Sequence, residues 1–86
     1  MSVVEDLADA LAADTLAAEE KLGDPNLVDE VSGVILAQSQ TLQEAFMTAI
    51  RVRRSERAGR TFLEQKIRAA ARGEDFVAPT QDNPDV

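Results

Sequence analysis

The stretch Lys21-Leu22-Gly23-Asp24-Pro25-Asn26-Leu27 separates two helical periodicities and decides the fold. Glycine takes the left-handed conformation that closes a helix without a Cβ penalty, aspartate caps a helix start, and proline fits a first helical position, where no amide hydrogen is needed. The sequence therefore predicts a helix ending before Gly23, a cap at Asp24 and a second helix opening at Pro25, folded together as a tight hairpin.

Upstream, Ser2 and Glu5 have the spacing of a capping box, which places the start of the first helix. At about 100° per residue, Val4, Leu7, Leu11, Ala18 and Leu22 share one face with Ala8 and Thr15, while Glu5, Asp9, Glu19 and Glu20 point away. Downstream, Leu27, Val28, Val31, Val34, Ile35, Leu42, Ala45, Phe46, Ala49 and Val52 form one broad apolar stripe, interrupted only by Gln38 and Ser39. Those two polar residues need partners if buried. The expected core is Leu7, Leu11, Val31, Ile35, Leu42 and Phe46.

Beyond Val52 the apolar pattern fades, and Gly59 followed by Thr61 and Glu64 predicts a break and a third helical segment to about Arg72. The alternative is one helix running unbroken from Pro25 to Arg72, since a single interior glycine costs only about 1 kcal/mol. Residues 74–86, with two prolines and four acids, read as a disordered acidic tail behind a single helical domain of residues 1–73.

Charge is strongly segregated. Residues 1–50 carry ten acids against Lys21 alone, residues 51–73 carry eight bases against Glu56 and Glu64, and the tail carries acids only, within an overall −7. Such segregation points to contacts between copies or with an anionic partner more readily than to catalysis. On a helix Arg53, Arg57 and Arg60 share a face, with Arg68 close in angle and Arg51 and Arg54 nearby, a row able to follow a phosphate backbone. Glu64 projects from that same face and no aromatic residue stands among the arginines, which favours docking on acidic protein surfaces.

The 86-residue chain has no Cys, His, Trp or Tyr. That composition excludes disulfides, sulfur or imidazole metal sites and His-based catalysis. Adjacent carboxylates such as Glu19-Glu20 diverge by about 100° on a helix and do not converge as an acid–base pair. No enzymatic activity, catalytic residue, cofactor or metal site is expected. No apolar run exceeds four residues, as in Val34 to Ala37, and no basic leader precedes an apolar segment, so a cytoplasmic protein without membrane contact is expected. Alanine richness and the preference for Arg over Lys point to a GC-rich bacterial genome.

A chain of this length buries only about 60% of its unfolded surface, leaving a thin core. Leu36, Met47 and Ile50 lie at the margin or rear of the second stripe, grouped with Gln43, and predict a self-association surface. Phe62, Leu63 and Ile67 form a further apolar group that would dock the last helix. The expected protein is thus all-α, a helical hairpin plus a C-terminal helical segment, self-associating into a four-helix-type bundle, with a dimer favoured. Its expected role is that of a non-catalytic interaction or regulatory protein. The alternatives are a nucleic-acid-binding regulator using residues 51–72 and an acidic inhibitor or antitoxin-like protein.

Overall fold

The computed structural model describes residues 2–78, and within them the chain is all-helical: α1 (Val3–Leu22), α2 (Leu27–Leu36) and α3 (Gln40–Ala71). These residues fall into two compact units, one ending at Ser55 and one beginning at Glu56, with the division inside α3.

In the first unit α1 starts where the sequence places it. The Ser2 hydroxyl oxygen accepts from the Glu5 amide at 3.1 Å and donates to the Glu5 carboxylate at 3.1 Å, satisfying an amide that the first turn leaves unpaired. Gly23 closes the helix with φ at 63°, and the Asp24 amide reaches back to the Glu19 carbonyl at 3.1 Å. Asp24 does not cap α2: its carboxylate accepts from the Asn26 amide at 3.0 Å inside the turn, Pro25 lies in that same turn, and the cap position is Asn26, whose side chain makes no capping bond, so the second helix opens at Leu27.

The second helix differs more from expectation, because it ends at Leu36 after ten residues. Ser39 then caps a new helix, its Oγ accepting from the Leu42 amide at 3.1 Å while its carbonyl accepts from Gln43 at 3.1 Å. The two polar residues that interrupt the stripe therefore mark a helix boundary. Across that break Gln43 Nε2 donates to Ser32 Oγ at 2.9 Å, tying α3 to α2.

The core of this unit joins Ala8, Ala12 and Leu16 of α1, Val28 and Ile35 of α2, and Phe46 and Ile50 of α3. Ile35 and Phe46 are buried as expected, and Leu11, Val31 and Leu42 pack partly buried against them. Leu7 instead stands 58% exposed, and Leu22 is exposed too. Of the expected face of α1, Ala8 and Thr15 are buried and Leu11 partly so, and the buried stripe is turned away from Leu7 and Leu22 toward Ala12 and Leu16. The reason is size. Phe46 and Ile50 are the largest fully buried side chains, and the two fully buried alanines of α1 share their cluster, leaving them room. Thr15, buried on the same side, donates its hydroxyl proton to the Leu11 carbonyl at 2.7 Å.

In the second unit α3 continues helical through Gly59 and Thr61 to Ala71, so neither the break nor the second capping box expected there exists. The stop comes at Gly73, with φ at 72°, where Gly73 and Glu74 amides bond the Ala70 and Ala69 carbonyls at 3.0 and 2.8 Å. After this cap the chain returns toward α3. The Phe76 ring lies 5.7 Å from that of Phe62, and Lys66 Nζ donates to the Phe76 carbonyl at 2.7 Å. Of the expected tail, Glu74 to Ala78 are non-helical and carry these contacts, while residues 79–86 lie outside the described residues. None of the described helices is long and apolar enough to cross a membrane.

Candidate interaction surfaces

The arginine row is placed by α3, and in the first unit its partners lie on α1. Arg53 donates Nε and Nη2 to the two oxygens of Asp9 at 2.7 and 2.9 Å, a bidentate fork that a lysine could not reproduce. Hydrogen bonding from that guanidinium, helped by its charge, holds the Asp9 carboxyl below the usual carboxylate range and raises Arg53 in turn. Arg54 stands 3.4 Å from Glu19, whose second oxygen is buried without a hydrogen-bond partner. Asp9 and Glu19, two of the acids that the sequence sets pointing away from the core, thus meet arginines of α3.

Farther along, Arg60 pairs with Glu56 one turn back at 2.7 Å and Arg72 with Glu74 at 2.7 Å. Arg51 makes only a long 3.5 Å contact with the Thr48 hydroxyl. Arg57 and Arg68 are exposed, and among the described residues no carboxylate lies within ion-pair distance of either. Three of the six arginines are matched by acids of the same chain.

The three apolar residues expected to form a self-association surface separate as well. Leu36 is 51% exposed and Met47 is partly buried against the core, whereas Ile50 is 0% exposed at the core's centre. Ile50 is thus a structural residue. Its misplacement follows from the rotation of α1, which turns the bulk of the core toward the side of α3 that carries it. Gln43, grouped with these residues by angle, spends its amide on Ser32.

One surface is not legible in the sequence, and another departs from the docking role expected of it. In the first unit Glu5 and Asp9 of α1 face Ala45, Thr48, Ala49 and Val52 of α3 across an open groove of about 380 Å³. In the second unit Leu63 and Ile67, one turn apart, are 53% and 59% exposed. The four-residue spacing of Ala45 and Ala49 is the one sequence signal for the groove, since small residues at that interval let a neighbouring backbone approach.

No protein-family model matches this chain, and no curated protein or solved structure matches it.

Proposed function

We propose that this is a small cytoplasmic, non-catalytic interaction or regulatory protein that acts through helix–helix association, assembling with itself into a four-helix-type bundle. The observation behind this reading is an imbalance of apolar surface. Among the described residues nine large apolar side chains are exposed, on all three helices and after them, against five that are buried, Leu16, Val28, Ile35, Phe46 and Ile50. Scattered surface hydrophobes are ordinary, but a surface that carries more of them than a core this small supports a reading in which part of it is covered by a partner. Sedimentation velocity over a broad concentration series tests it: a species of at least twice the 9.3 kDa chain mass is expected, and a constant monomer mass refutes it.

A second reading, nucleic-acid binding, is favoured by Arg57 and Arg68, which are exposed and outside the ion pairs described above. Gel-shift titration with generic DNA and RNA separates the two, because phosphate contacts weaken steeply with added salt. Salt-sensitive binding lost on replacing Arg57 and Arg68 by Gln would establish this second role.

A further inference from the structure

Among the described residues the second unit holds one stretch of helix and no other element of secondary structure, and Ala69, 2% exposed, is its one buried apolar side chain. Residues 56–71 continue a helix begun at Gln40 and need no new nucleus. A helix end without packed apolar surface nevertheless frays, and Gly59 weakens the run further.

The chain after Gly73 supplies the missing support. With φ at 72° Gly73 reverses direction, and residues 74–78 return along α3 to meet it at three positions in turn. The Glu74 amide donates to the Ala69 carbonyl at 2.8 Å, the Phe76 carbonyl accepts from Lys66 Nζ at 2.7 Å, and the Phe76 ring lies 5.7 Å from that of Phe62. Phe62, Lys66 and Ala69 are spaced by four and three residues, which places them on one stripe of the helix. The buried apolar residue of the unit therefore lies on the stripe that the returning segment follows. Arg72, whose Nε donates to the Glu74 carboxylate at 2.7 Å, ties down the turn itself. None of these contacts uses a residue of the first unit. Each is also weak singly, being an exposed ion pair, a lone hydrogen bond or one aromatic pair.

We propose that residues 74–78 are a latch on the C-terminal half of α3. Latched, residues 56–71 hold their helix; released, that helix frays from its free end while the first unit keeps its own core. Leu63, Ile67, Arg57 and Arg68 stand exposed on this half, so the latch sets whether they are displayed at helical spacing.

Amide hydrogen exchange on the full chain, read residue by residue by NMR, tests this with two variants. Phe76→Ala removes the aromatic pair and should speed exchange at Ile67 and Arg68 by about fivefold to tenfold, leaving Phe46 and Ile50 within about twofold. Gly73→Ala separates the latch from local helix propensity. The added Cβ meets nothing within 4 Å, so the change acts through the backbone. Alanine is the better helix former, and propensity alone dictates slower exchange at Ile67 and Arg68. The latch dictates exchange faster by about tenfold, because an L-residue resists the left-handed turn that brings the chain back. Slower or unchanged exchange at these amides in either variant overturns the latch. So does an equal loss of protection at Phe46 and Ile50, which would make the two halves one folding unit.

Discussion

Exchanging size between Leu7 and Ala12 should have opposite consequences from those hydrophobicity alone dictates. Ala12 is fully buried in the cluster that holds Phe46 and Ile50, so Ala12→Leu forces three extra carbons into packed space, an insertion costing about 1–3 kcal/mol. Leu7 is 58% exposed, so truncation to Ala removes less than half of the roughly 1.5–3 kcal/mol that full burial of a leucine is worth. Alanine's slightly better helix propensity reduces that loss further, to about 1 kcal/mol or less. At roughly 0.05–0.15 kcal/mol per residue the first unit holds only about 3–8 kcal/mol in total, which makes the Ala12 change a severe one. Urea titration followed by circular dichroism, repeated over a concentration series to separate unfolding from dissociation, reads the difference. With a slope of about 1 kcal/mol per molar, the midpoint should fall by about 1–3 M for Ala12→Leu and by less than about 1 M for Leu7→Ala. A larger fall for Leu7→Ala would mean that the leucine face of α1, and not its alanine face, is packed.

Further consequences can be checked one residue at a time. Gly59→Ala should raise helix stability by about 1 kcal/mol, because the position is helical and an added Cβ meets nothing within 4 Å; Gly23→Ala, at φ 63°, should lower it by about 1–2 kcal/mol in the same thermal melts. Because the Asp9 carboxyl titrates lower when folded, its pairing contributes above the ordinary carboxylate pKa and is lost as pH falls through the lowered value. Carboxyl carbon shifts of Asp9 should therefore titrate at a higher midpoint in Arg53→Gln than in the unmodified protein, and an unchanged midpoint would dissociate the pair from the shift. Phe76→Ala, which removes the ring packed on Phe62, should speed hydrogen exchange at Glu74, whose amide bonds the Ala69 carbonyl; equal rates would detach the returning segment from the cap.

Local signals were legible where one residue type has one physical use. Ser2 with Glu5 gives the start of α1, and Gly23 gives its end, because caps and left-handed turns are set within a few residues. The break at Ser39 was hidden, since Ile35, Leu42 and Phe46 keep helical spacing across it and neither Gly nor Pro marks it. The absence of a break at Gly59 reflects how little one glycine costs in an otherwise helical run. The orientation of α1 was misread because periodicity weighs leucine above alanine, whereas packing against Phe46 selects small neighbours. Arg53 with Asp9 and Arg54 with Glu19 are 44 and 35 residues apart, and only the fold brings them together.

Ion pairing along α3 also alters how the chain is perceived from afar. Arg53, Arg54, Arg60 and Arg72 each stand within 3.4 Å of a carboxylate. To a remote ion such a couple is a dipole, whose field decays faster than that of a bare charge, and salt screens the remainder beyond about 8 Å. What reaches an approaching molecule is therefore the net −7 of the whole chain, which repels polyanions and attracts cationic surfaces. The four paired guanidinium groups act only at close range, so they contribute little to the rate at which any charged molecule is drawn in.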